Sequence, residues 1–350
     1  MVVGTLSRCS GVASMARVAL DARLTRQMSV GMKIHTKALL DRRALFAPEI
    51  ELIPCGHGEN FGFAEQLLLP LEIARSRARL VHYPTQYLPL VRPVPYILTI
   101  HDLIHCRFAE VYETKVAWYY RAVVAPAARN AQRVLVDDER SIEDCERFLG
   151  VDAARVRVVP LGIESAFLEP VDAPHVARPY LFYAGNHREH KDLPTLLAAW
   201  AALPEGIEYD LVVTGADDFG DLRARYERFG RRLIALGDID EATLRRSYAG
   251  ASALVHPSLW EGFGLTMLEA MAVGTPVIAC RDAVPHPLAP ASVTFGPRDV
   301  AAVTRAIESL RAEPDAWAAR VAAGRRAAEE LTWDRFVRRI AAVYAEVLAP

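Results

Sequence analysis

Residues 256–280, HPSLWEGFGLTMLEAMAVGTPVIAC, decide how the rest of the chain is read. Two carboxylates, Glu261 and Glu269, bracket the turn Gly262-Phe263-Gly264. The pattern predicts a strand over 253–255, a polar loop, and a helix starting near Leu265. A Gly274-Thr275-Pro276 turn and a second strand over 277–280 follow. In an open parallel sheet, a loop that leaves a strand's carboxyl end and feeds a helix is where ligands bind. Glycines let the backbone approach such a ligand, and the free N–H groups of a helix start suit a phosphate. One carboxylate before the turn and one in the first helical turn can face the same ligand. Plainer accounts exist for both: Thr266-x-x-Glu269 also spells a capping box, and Glu261 beside Trp260 also reads as an ordinary loop acid.

The chain around this stretch has 350 residues, enough for two domains with separate cores. Hydrophobic residues make up 52% and charged residues 24%, as in ordinary globular proteins, and the net charge of −2 argues against a nucleic-acid binder. Lysine occurs only at 33, 37, 115 and 191, so the basic residues are almost all arginine. The cysteines at 9, 55, 106, 145 and 280 form no C-x-x-C pair and read as reduced thiols of a cytoplasmic protein. No apolar run approaches the roughly 20 residues that span a bilayer. Residues 1–14 make a poor signal peptide and read as a disordered extension or an early start codon.

Strand-like and helical patterns alternate outward from the opening stretch. In the first half, strands are expected over 17–20, 80–83, 95–100, 133–136 and 156–159, with helices over 30–45, 114–130 and 141–148. Between 164 and 179 the chain is rich in Pro, Asp and Ala without periodicity, as in a linker. A second series has strands over 180–184, 209–214 and 233–236 and helices over 193–201, 221–229 and 241–249. After the opening stretch, helices are expected over 299–311, 315–329 and 333–348. The last carries an apolar stripe of Phe336, Ile340, Val343 and Val347. This is an α/β pattern of two doubly wound, Rossmann-like domains facing across a cleft. The expected division is 15–165, a linker over 166–178, a second domain over 179–332 and a terminal helix over 333–350.

The string P-S-x-x-E-G-F-G-x-x-x-L-E-A-M-A-x-G-T-P-V-I-A resembles the signature of the group 1 (family 4) retaining glycosyltransferases of the GT-B fold. Among them, bacterial mannosyltransferases of surface-polysaccharide synthesis look most similar. The resemblance runs over roughly 16–348 and implies a nucleoside-diphosphate sugar held by the second domain, an acceptor entering over the first, and a terminal helix packing back on the first. It also implies that Glu269 meets the ribose and Glu261 the donor sugar, with the amides of Gly264, Leu265 and Thr266 near the diphosphate and Gly262 and Phe263 also in the donor site.

Further segments carry the resemblance. YLFYAGNHREHKDLPTLLAAW (180–200) offers Gly185 at a sharp strand exit and Lys191 beside Asp192, a good helix cap. The resemblance makes Lys191 the diphosphate lysine; a lone lysine at a helix start is otherwise a surface residue. Many relatives have arginine where this chain has Asn186, and Arg188 is the candidate for that second cation. ILTIHDLIH (97–105) places His101 at a strand end, where a neutral imidazole would meet the transferring sugar; the plainer account is a satisfied core histidine. Gly31 would let the first domain's backbone approach the diphosphate, and Ile239 would lie on the base. Two departures stand out: Asp138 where relatives often have serine, and Pro285-His286 where they have Pro-Glu.

Asp217-Asp218 lacks a completing ligand set, and no metal or cofactor is expected. The expected partners are a nucleotide-sugar donor, GDP-mannose first, and a glycan or lipid-linked acceptor. Contact with the inner face of the plasma membrane would run through Arg42, Arg43, Arg75, Arg77 and Arg79. The alternatives are a sugar phosphorylase or epimerase of the same fold, and a non-catalytic scaffold that binds nucleotide-sugar.

Overall fold

The computed structural model describes residues 15–25, 28–57, 62–110, 114–172, 178–215, 219–220 and 232–349. Residues 1–14, Asp217-Asp218 and the helix expected over 221–229 lie outside them. Strands β1 (Ala16–Asp21), β2 (Ile50–Cys55), β3 (Leu80–Tyr83), β4 (Tyr96–Ile100), β5 (Arg133–Val136) and β6 (Val156–Val158) form one sheet, ordered β2-β1-β3-β4-β5-β6. Strands β7 (Tyr180–Tyr183), β8 (Asp210–Val213), β9 (Leu233–Ala235), β10 (Ala253–His256), β11 (Val277–Cys280) and β12 (Ser292–Phe295) form the other, ordered β12-β11-β10-β7-β8-β9. Every pairing between these strands is parallel. The inner strands are short Val, Ile and Leu runs buried along their whole length, as parallel strands covered on both faces must be. The doubly wound α/β architecture expected from the sequence is therefore present.

Strand order reverses once in each sheet, between β1 and β3 and between β7 and β10. A crevice opens at such a switch point because the neighbouring loops leave in opposite directions. The loops after β7 and β10 carry Lys191 and Glu261.

Among the described elements, β2, the helix Phe63–Arg75 and β12 escaped the sequence reading, as did the short helices Ile104–Arg107 and Ser165–Leu168, the latter at the start of the expected linker. Pro54 lies in β2, where an edge position tolerates it, and Pro70 lies inside the helix, where it mimics a break. The helix expected over 30–45 ends at Asp41 and gives way to a tight turn, Arg43–Phe46, ahead of Pro48.

The final helix, Trp333–Leu348, returns to the first lobe. Phe336, Ile340 and Val343 of its stripe are buried, Phe336 meets His35 edge-on, and Tyr344 stacks on Phe46. Glu346 takes ion pairs from Arg133 and Arg157. Arg42, grouped above with membrane-facing cations, is instead tied to Glu164 and Asp334. The two crossings between lobes lie side by side, with Ile163 N–H donating to Leu331 O at 2.8 Å. No described helix is long and apolar enough to cross a membrane.

In the core beneath this helix, the Tyr344 hydroxyl lies 2.6 Å from His82 Nδ1, while His82 Nε2 lies 2.8 Å from Thr99 Oγ1. Burial pushes His82 down to about 3, so the ring is neutral and both nitrogens need partners. Tyr344→Phe leaves a buried nitrogen without one. It should cost about 1–3 kcal/mol in urea unfolding; an unchanged midpoint would mean the helix is not anchored there.

Candidate active site

At the switch point of the second sheet, Lys191 Nζ donates to Glu261 Oε1 at 2.6 Å. His256, the last residue of β10, donates from Nε2 to the same oxygen at 3.0 Å, and the Thr266 hydroxyl lies 3.4 Å from its Nδ1. Leu259 N–H donates to the His190 carbonyl, which joins the two loops. The Lys191 and Glu261 side chains are 18% and 12% exposed, so the pair sits at a mouth rather than on open surface. Burial opposes ionisation of Glu261, but Lys191 and His256 outweigh it and hold the carboxyl well below its usual range. Asp192 caps the helix Leu193–Ala201 in left-handed conformation, but its carboxylate takes the Thr195 hydroxyl and no backbone N–H.

The helix Leu265–Val273 starts at Gly264, whose φ of 78° suits glycine, and no side chain caps it. The capping box is not formed: Thr266 points at His256, and Glu269 accepts from the Tyr248 hydroxyl at 2.9 Å. Burial lifts Glu269 from 4.5 to about 7, against the pull of Tyr248, with nearby Glu241 adding to the rise. Two glutamates eight residues apart are thus shifted in opposite directions. Across the crevice begins the helix Val30–Asp41, and a Cβ added at Gly31 would sit 3.7 Å from Leu265 Cδ1. Two helix starts therefore meet here, and both bring positive dipole ends to one place.

His101 is close by but differs from expectation. Its Nδ1 lies 2.8 Å from Asp137 Oδ2 and its Nε2 donates to the Pro84 carbonyl at 3.0 Å. Both nitrogens are spent, so the ring is not the free neutral imidazole proposed from the sequence. Burial works against its charge, yet Asp137 raises it above the ordinary value; Asp137 is itself pushed up by burial. The backbone of His101 does reach the crevice, because a Cβ at Gly262 would collide with its carbonyl oxygen. No larger residue fits at 262.

The remaining candidates scatter around this centre. The Gly185 amide is taken by Thr214 Oγ1 at 2.8 Å and is not free for a phosphate. Arg188 is exposed, its charge acting on Tyr87 and His105 of the other lobe, while Asn186 Oδ1 accepts its backbone N–H. Ile239 is half-buried just before the helix that carries Tyr248. The Phe263 ring is 3% exposed and belongs to the core, leaving only its backbone for a ligand. His256, Asp137 and Trp260 were missed; only the His-Pro-Ser sequence at a strand end could have pointed to the first. Among the described residues, no three His, Cys, Asp or Glu side chains gather as a metal site.

A family model described as "Glycosyl transferases group 1" matches residues 178–313, and one described as "Glycosyltransferase Family 4" matches 35–167. The chain belongs to the group 1, family 4 glycosyltransferases. This glycosyltransferase is 28% identical over 273 residues to O-antigen chain mannosyltransferase B of Escherichia coli, covering 72% of this chain and 70% of that one. It is 27% identical to the MMP alpha-(1->4)-mannosyltransferase of Mycolicibacterium hassiacum, over 73% and 66% of the two chains. Sucrose-phosphate synthase from Thermosynechococcus elongatus superposes with a TM-score of 0.72 at 20% identity, covering 95% and 99%. Anabaena Alr3699/HepE in complex with UDP and glucose does so at 0.69 and 17%, covering 95% and 100%. These likenesses establish the GT-B fold.

Glu269 gives this glycosyltransferase a pH signature. Its folded-state value lies above its unfolded one, so stability falls as pH climbs from about 4.5 to about 7. Glu269→Gln should therefore stabilise the ligand-free enzyme at pH 8 by about 1–3 kcal/mol and much less at pH 5. Equal gains at both pH values in thermal melts would contradict a protonated Glu269.

Proposed function

We propose that this enzyme moves a hexose from a nucleoside-diphosphate sugar to a glycan or lipid-linked acceptor in cell-surface polysaccharide synthesis. In this reading it retains the anomeric configuration and needs no metal ion, and GDP-mannose is the first donor to test. The Lys191–Glu261 pair, set where two helix starts meet, carries the proposal. A diphosphate there would draw Lys191 and leave Glu261 free to accept hydrogen bonds from sugar hydroxyls. The mannosyl preference leans on the names of the relatives, which include O-antigen mannosyltransferases of Escherichia coli and Salmonella typhimurium. The donor class leans on neighbours solved with UDP and UDP-glucose.

In this reading Glu269 holds the ribose, Ile239 lies near the base, and Arg188 supplements Lys191. His101 acts through its backbone, its ring being occupied. The acceptor hydroxyl attacks the anomeric carbon on the face that the phosphate leaves. The new glycosidic bond forms as the bond to phosphate breaks, and the departing phosphate oxygen takes the proton. Lys191 and the amides at 264–266 stabilise the charge that gathers on that oxygen. Work on the cytoplasmic side, touching the inner face of the plasma membrane, is in keeping with the exposed Leu67, Leu68 and Leu71 on one helix and with exposed Arg75 and Arg77. Co-sedimentation with anionic vesicles, lost in Leu68→Glu, would support that contact; equal binding by the variant would remove it.

A thermal-shift panel of GDP-, UDP-, ADP- and dTDP-sugars tests the donor. At 100 times its dissociation constant the right donor should stabilise by about 2.7 kcal/mol. Lys191→Ala should lose most of that gain, and activity should survive EDTA. Proton NMR of the product should show the donor's anomeric configuration. No response to any nucleotide sugar, or inversion of the linkage, would defeat the proposal.

A further inference from the structure

The loop that carries Glu261 is gripped from the opposite lobe. Residues 260, 261 and 262 each touch the first lobe in turn. Trp260 is 7% exposed and lies under two guanidinium groups, with Arg107 at 3.7 Å and Arg140 at 5.0 Å from the ring centre. Its indole N–H has no hydrogen-bond partner, so those cations and packing hold the ring. Arg140 Nη2 also donates to the Glu261 carbonyl at 3.4 Å, and Nη1 to the carbonyl of Asp282. Gly262 rests against the His101 carbonyl.

Both arginines are aimed by buried carboxylates. Arg107 is paired with Asp144 at 2.5 Å, and Arg140 Nε donates to Asp138 Oδ1 at 2.6 Å. Asp138 then reaches across the crevice: its Oδ2 accepts from His286 N–H at 2.9 Å, and His286 Nδ1 lies 3.3 Å from Oδ1. Asp138 and His286, two of the positions where the sequence departs from the pattern it resembles, thus meet across the crevice. This contact bridges the lobes.

We propose that Arg140, aimed by Asp138 and assisted by Arg107, is a positioning residue that seats the Glu261 loop from across the crevice. Transfer then depends on it more steeply than donor binding, because Lys191 and Glu269, which the clamp does not touch, still hold the donor. The inference rests on the glycosyltransferase reading given above. Donor contacts come mainly from the second lobe, whereas the clamp comes wholly from the first. A loosened clamp therefore separates the two quantities.

The test uses Arg140→Ala, Arg140→Lys and Asp138→Asn in the full chain, with donor affinity, transfer rate and acrylamide quenching of Trp260 as readouts. The Trp260 signal is taken by difference from Trp260→Phe. Arg140→Ala should keep the donor dissociation constant within about threefold and lower kcat about tenfold or more. Arg140→Lys should restore only part, since lysine cannot contact a ring, a carboxylate and two carbonyls together. Trp260 should become more accessible to quencher in both Arg140→Ala and Asp138→Asn. Should Arg140→Ala prove unstable, Asp138→Asn alone carries the comparison. Unchanged kcat, or parallel loss of kcat and donor affinity, overturns the proposal. If the wild-type enzyme binds no nucleotide sugar, the functional reading fails by itself. Quenching then decides the clamp, and equal accessibility in wild type and Asp138→Asn removes it.

Discussion

Parallel pairing throughout both sheets is the constraint on which everything else rests. When all strands of a sheet point one way, their carboxyl ends share an edge and every chemically interesting loop leaves from it. His101 follows β4, Asp137 and Asp138 follow β5, Lys191 follows β7, Glu261 follows β10 and His286 follows β11. These residues lie far apart in sequence, yet the recorded contacts among them bring them into one neighbourhood. The sheets supply no chemistry. They bring two loop-bearing edges face to face and leave selection to the loops.

Within that neighbourhood the electrostatics are set by desolvation and by who answers it. Glu261 and Glu269 are both removed from water, which alone would raise both. Glu261 finds a lysine and a histidine and stays charged; Glu269 finds only a phenolic hydroxyl and rises to about 7. The first lobe follows the same rule. His82 and His35 meet no carboxylate and are held neutral by burial, whereas Asp137 raises His101 above the ordinary value against the effect of burial. Among these five groups, the ones with a counter-charge beside them are those in which the charged form is favoured.

That rule also explains what could be read from the sequence. Local periodicity and turn chemistry sufficed for the doubly wound pattern, because each βα unit is specified within its own 30 or so residues. Gly264 was legible because its backbone demand is local, whereas Gly262 and Lys191 were legible through the motif around them. What was hidden depends on partners distant in sequence. His101 looked free because Asp137, 36 residues away, is silent as a motif. Trp260 looked like a loop aromatic because Arg107 and Arg140 cannot be assigned to it from spacing. Pro54 and Pro70 misled in the opposite sense, being strong local breakers overruled by an edge strand and by packing.

The lobes are joined at two ends of very different character. At one end the chain crosses twice, side by side at 163 and 332, and the terminal helix binds the first lobe through the Tyr344–His82 contact and the paired arginines on Glu346. Those contacts are continuous with the backbone and lie partly in the core. At the other end the described contacts between the lobes run largely through side chains, among them Asp138 on His286 and two arginines on Trp260, with Gly262 on the His101 carbonyl. Any opening of the crevice must pivot where the crossings are hydrogen-bonded and must separate the side-chain end. The Glu261 carboxylate sits at that separable end, but its Lys191 and His256 partners belong to its own lobe. Opening would therefore leave the charge pairing of the donor side intact while releasing the backbone that aims it, so charge state and aim are set by different lobes.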